Sequence, residues 1–102
     1  MNACIEVKVR ISIQFEAQLR HAAGVTKTEL TVPNDCCVVE ALKIAAEQFG
    51  TPLRERLLTI DGSPLRSVLI FVNDHAVSHQ ATAETCLNDG DALLLFPPIS
   101  GG

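Results

Sequence analysis

Ile5, Val7, Val9, Ile11, Ile13 and Phe15 alternate with Glu6, Lys8, Arg10, Ser12 and Gln14, so every second side chain from position 5 to 15 is apolar. Extended backbone turns successive side chains to opposite faces, and this pattern gives a strand with one buried face and one wet face. The other end of the chain reads differently. Leu93-Leu94-Leu95-Phe96 is apolar on both faces, as is Val68-Leu69-Ile70-Phe71-Val72, and Pro97-Pro98 follows the former. Proline has no N–H to give to a ladder, so strand pairing stops there. Strands at both ends of the chain around a single long helix imply an α+β roll. In such a roll a mixed five-stranded sheet wraps one main helix plus a short helix, with the first and last strands as parallel central neighbours.

The intervening elements fit this outline. A loop through Gly24 leads to a second, edge-like strand from Lys27 to Val32, paired with the first as a hairpin. Pro33-Asn34-Asp35 ends it, and Asn34 or Asp35 can cap the main helix. In that helix Val38, Leu42, Ala45 and Phe49 recur at helical spacing before Gly50. Thr51 as cap and Pro52 at the first helical position open a short helix to about Leu58. Asp61-Gly62-Ser63-Pro64 reads as a turn cluster. Asn73-Asp74 reads as a hairpin turn into a strand at Ala76 to Ser78, and Asn88-Asp89-Gly90-Asp91 as the turn that sets up the last strand, Ala92 to Phe96.

With 102 residues the chain holds one domain, and the formal charge of −4 comes without a Lys/Arg cluster. That balance argues against nucleic acid or an anionic membrane as partner and favours a protein with a basic face. No signal-peptide core or membrane span precedes the first strand, which implies a cytoplasmic protein. Cys4, Cys36, Cys37 and Cys86 lack paired ligand spacing and read as reduced, structural thiols. A zinc site from Cys36, Cys37, His75 and His79 is the sharper alternative, and His21 reads as a surface residue. No nucleophile–base spacing and no phosphate-binding glycine loop is present, so any catalytic group is expected on a partner.

Beyond the prolines the chain ends Ile99-Ser100-Gly101-Gly102. Two glycines form the slimmest and most permissive backbone available, able to thread a narrow channel, and the Gly102 carboxylate is sterically open to activation. A frayed terminus is the plainer alternative. The division expected is a domain over 1–98 and a flexible tail over 99–102. A further clue comes from the two-sided apolar strands. One substantial helix does not readily cover both faces of a sheet, so either loops shield the second face or it is an exposed docking patch.

Leu87-Asn88-Asp89-Gly90-Asp91, Leu93, and Phe96-Pro97-Pro98-Ile99-Ser100-Gly101-Gly102 resemble the C-terminal signature of the MoaD/ThiS family of ubiquitin-like sulfur carriers. Val39-Glu40-Ala41-Leu42 and Val72-Asn73-Asp74 fit the same pattern. Within the family, Phe-Pro-Pro before the tail is most similar to the small subunit of molybdopterin synthase. The resemblance implies a β-grasp (ubiquitin-like) fold and a carrier cycle. An E1-like adenylating enzyme spends ATP to adenylate Gly102, sulfur from a persulfide displaces AMP, and the resulting thiocarboxylate donates sulfur within a larger catalytic subunit. The carrier itself holds no cofactor or metal.

By position, the resemblance places Leu94 and Phe96 on a docking face with Leu69 and Phe71 as neighbours, and Pro97 and Pro98 at its exit. Gly101, Ser100 and Ile99 make up the reach of the tail. The acceptor stays open between molybdopterin and cysteine, thiazole or another metabolite, because the chain carries extra residues around Thr51 to Ser67 relative to compact members. Two other classes use the same residues differently. One is a ubiquitin-like modifier that joins Gly102 to lysines, and the other is an interaction domain in which the diglycine is incidental.

Overall fold

Residues 8–97 are described by the structure, a computed structural model, so Met1 to Val7 and the sequence readings on Pro98, Ile99, Ser100, Gly101 and Gly102 lie outside the described residues. In chain order the elements are β1 (Lys8–Phe15), α1 (Gln18–Ala23), β2 (Lys27–Pro33), α2 (Val38–Phe49), α3 (Thr51–Leu57), β3 (Leu69–Val72), β4 (His75–Val77), a 3-10 turn (Gln80–Ala83) and β5 (Ala92–Phe96). The five strands form one mixed sheet in the order β2-β1-β5-β3-β4. β1 pairs antiparallel with β2 and parallel with β5, and β3 pairs antiparallel with both β5 and β4. The first and last strands are central neighbours, and the arrangement is the β-grasp roll.

Alternation in β1 produces the expected two faces. Val9, Ile11, Ile13 and Phe15 are buried while Lys8, Arg10 and Gln14 are exposed. The inner face continues through Leu30, Val32, Leu93, Leu95, Ile70 and Val72, and α2 covers it with Val38, Ala41, Leu42, Ala45 and Ala46. Small alanines on that stripe let the helix approach closely, and Phe49 closes the far end edge-on to Phe15, ring centroids 5.8 Å apart. Leu53 and Leu57 of α3 extend the same core, so the inserted segment after Gly50 is part of the fold.

Three details differ from the sequence reading. A third helix, α1, occupies the stretch read as a loop before Gly24. It buries only Leu19, so it leaves no apolar periodicity to detect, and its end is marked by Gly24 in left-handed conformation at φ 81°. The N-cap of α2 is Cys37, not Asn34 or Asp35. Asp35 is held in a turn at φ 66°, and Val38 N–H, which a cap side chain would otherwise accept, donates to the Thr85 carbonyl at 3.0 Å. Gly50, not Thr51, is the N-cap of α3. It both ends α2, donating to Ala46 O at 2.9 Å, and turns the chain into α3 at φ 94°.

Candidate functional site

Among the described residues no helix covers the second face of the sheet, and its two halves have opposite character. On β1 and β2 it presents Lys8, Arg10, Ser12, Gln14, Lys27, Glu29 and Thr31. On β5 and β3 the outward positions are Leu94, Phe96, Leu69 and Phe71. Leu69 is 45% exposed and the other three are half-buried. Register brings these four together. Leu69 lies opposite Phe96 and Phe71 opposite Leu94, and the Phe71 and Phe96 rings meet diagonally edge to face with centroids 5.8 Å apart.

The patch has defined borders. Gln14 stands opposite Leu94 on the polar side, and its amide donates to Glu16 at 2.6 Å. On the other side Ala76 of β4 lies opposite Phe71 and is exposed. Ala76 was not singled out in the sequence, although a two-residue hairpin loop at Asn73-Asp74 dictates its pairing with Phe71. Both loop residues adopt positive φ, 50° and 72°, as such tight turns require.

Pro97 departs from the expected docking set. It is buried, because the inward–outward alternation of β5 continues through it and sends its ring to the core side. There it lines a hollow with Leu19 of α1 and Leu65. The remaining tail positions, Pro98, Ile99, Ser100, Gly101 and Gly102, lie outside the described residues. β5 nonetheless fixes where the tail begins, at the end of the sheet where Phe15 lies opposite Leu95 and Glu16 N–H donates to Leu95 O at 3.1 Å.

The acidic turn before β5 and the histidines of the alternative zinc site are engaged in hydrogen bonds of their own. Asp89 accepts from Arg10 N–H at 2.8 Å, and Asp91 accepts from Asn88 N–H at 2.7 Å and from the Asn73 amide at 2.9 Å, which makes Asn88 to Asp91 the turn that launches β5. His79 bonds the Val68 carbonyl at 3.2 Å and His75 the Asn73 carbonyl at 3.1 Å, so neither histidine joins Cys36 and Cys37. Among the described residues no group of three or more His, Cys, Asp or Glu could hold a metal ion, and no helix is long and apolar enough to cross a membrane.

Comparison with known proteins agrees with this geometry. The chain is 33% identical over 95 residues to small archaeal modifier protein 3 of Haloferax volcanii, covering 92% of this chain and all of that protein. It is 22% identical over 94 residues to the molybdopterin synthase sulfur carrier subunit of Drosophila yakuba, covering 92% of each. Among solved structures, SAMP1 from Haloferax volcanii superimposes with a TM-score of 0.80 at 27% identity, over 91% of this chain and 99% of that one. The sequence model of the ThiS family matches residues 13–102, nearly the whole span from the middle of β1 to the last glycine, and the chain belongs to that family of ubiquitin-like sulfur carriers.

Proposed function

We propose that this protein carries sulfur on Gly102 as a thiocarboxylate and delivers it to the larger catalytic subunit of molybdopterin synthase. The observation that carries the reading is the apolar patch of Leu94 and Phe96 on β5, the last strand before the tail, with Leu69 and Phe71 beside them on β3. A partner that buries this patch holds the strand from which the tail leaves. The chemistry follows from the carboxylate. An E1-like enzyme transfers AMP from ATP to Gly102 and releases pyrophosphate. A persulfide then attacks the acyl-adenylate, AMP leaves, and a thiol cleaves the acyl disulfide to free the thiocarboxylate. All catalytic groups reside on the partners, and the cycle runs in the cytoplasm.

A second reading is favoured by the 33% identity to a small archaeal modifier protein over that protein's full length. In it the same adenylated Gly102 is joined to lysine amines of other proteins.

One experiment separates these from an incidental diglycine. The full-length protein is incubated with an E1-like enzyme, Mg-ATP and a persulfide donor and then weighed intact, beside a Gly102-deleted variant and one with a residue appended after Gly102. The reading expects a gain of about 16 Da, one oxygen replaced by sulfur, on the unmodified chain alone. No gain with an enzyme proven on another carrier overturns it. Lysine conjugates in place of sulfur delivery to the synthase subunit select the modifier reading.

A further inference from the structure

We propose that Cys37 and Cys86 are a disulfide-forming pair, a site of reversible oxidation by low-molecular-weight disulfides. Two segments distant in sequence meet here as an antiparallel bridge in which Cys37 faces Cys86. Val38 N–H donates to Thr85 O at 3.0 Å and Leu87 N–H donates to Cys36 O at 2.8 Å, so the hydrogen bonds flank the cysteine pair and do not join it. In that non-hydrogen-bonded arrangement facing Cα atoms stand about 4.5 Å apart, with their side chains at the closest approach an antiparallel ladder offers. A disulfide takes Cα separations of roughly 4.4–6.8 Å, so the bridge closes without backbone movement.

Burial gives the direction of the side chains. Cys36, Val38 and Leu87 are buried against the core, whereas Cys37 is half-buried and Cys86 exposed. Cys36 does not compete. Its thiol donates to the Cys37 carbonyl at 3.4 Å, burial pushes it up to about 11, and a disulfide between adjacent residues is strained.

The reaction is thiol–disulfide exchange. The Cys86 thiolate attacks one sulfur of oxidised glutathione, breaking its S–S bond and releasing one glutathione thiolate. The Cys37 thiolate then attacks the Cys86 sulfur of this mixed disulfide, forming Cys37–Cys86 and releasing the second. The two cysteines give up two electrons to the glutathione pair and two protons to solvent, and the two glutathione thiolates take up two protons and end as thiols. The crosslink ties the start of α2 to the segment leading into β5. It lies at the end of the sheet where β1 begins and leaves the apolar face untouched.

The test uses full-length protein treated with oxidised glutathione, weighed intact and mapped by tryptic digestion without reductant. The expected product is lighter by about 2 Da, two hydrogens, with the peptide holding Cys37 joined to the peptide holding Cys86. The crosslink persists in a C4S/C36A variant and is lost when C37S or C86S is added. Oxidation of C4S/C36A raises Tm on the order of 10 °C. A stable glutathione adduct as the sole product in C4S/C36A, an unchanged mass, or wild-type crosslinks that all involve Cys4 or Cys36 would overturn the proposal.

Discussion

Asn73 and Asp91, eighteen positions apart, lock the β3–β4 turn to the start of β5. The Asn73 amide donates to Asp91 Oδ1 at 2.9 Å, and its carbonyl oxygen accepts from Ala92 N–H at 3.0 Å. The backbone completes the link, with Asn73 N–H donating to Ala92 O at 2.9 Å. Asp91 serves a second turn through Asn88 N–H.

Asp91→Ala leaves both donors without this acceptor. The sites are near the surface and water replaces part of the loss, so the cost is about 1–2 kcal/mol, read as a Tm lower by roughly 5–10 °C. Asp91→Asn keeps one acceptor and falls between. Equal Tm for the Ala variant and the wild type would show that the link contributes nothing.

The apolar patch makes a prediction of the opposite kind, with binding lost and stability kept. Leu69 is exposed and its partner Phe96 half-buried, so Leu69→Glu places a charge in the patch without entering the core. Its stability stays within about 0.5 kcal/mol of wild type. On the carrier reading proposed above, binding to an E1-like activating enzyme or an acceptor subunit weakens about 10- to 100-fold in a titration, the effect of spoiling an apolar anchor. Lys8→Glu, on the polar half of the same face, is the control. Equal losses from both changes would move the docking surface elsewhere.

The sequence made the sheet legible because each strand carries its own signature. Alternation marked β1, two-sided apolar runs marked β3 and β5, and Asn73-Asp74 marked the hairpin. The outward set of Leu69, Phe71, Leu94 and Phe96 followed from those strands once their register was known. What escaped was decided by tertiary contacts. α1 rests on one buried leucine, too little for a periodic signal. Asp35 loses the cap of α2 because a bridge from Thr85, far along the chain, takes the Val38 N–H first. Pro97 reads as an exit residue because it lacks an N–H for strand pairing and by its position in the family pattern, but strand alternation carries its ring inward.

Gly62 offers a backbone test in the segment after α3. The loop folds back on itself through Thr59 N–H to Ser63 O at 2.7 Å and Gly62 N–H to Thr59 O at 3.0 Å, and the Thr59 hydroxyl donates to Asp61, whose carboxyl is held below its ordinary range by that bond and by Ser63 N–H. Gly62 sits at φ 88°, and a Cβ there would lie 3.2 Å from Lys43 Cε. The lysine tip can move aside, so left-handed backbone strain is the main cost of Gly62→Ala, about 1–2 kcal/mol by chemical denaturation. No loss would show that the loop relaxes to a different turn.

Cys36 gives the fold a stability that depends on alkaline pH. Burial is the main reason its thiol rises from 9.0 to about 11, with the neighbouring charges of Cys37, Glu40 and Cys86 adding to it. Between those two values the unfolded chain has released the proton and the folded chain retains it, so unfolding releases a proton and is favoured by rising pH. The contribution is full below about 9, declines across the window and is gone above about 11. Under a phosphine reductant that keeps all cysteines as thiols, Tm measured from pH 8 upward should fall across that window. Cys36→Ala removes this component of the fall. A Cys36→Ala profile parallel to that of wild type would mean that the thiol ionises with equal ease in both states.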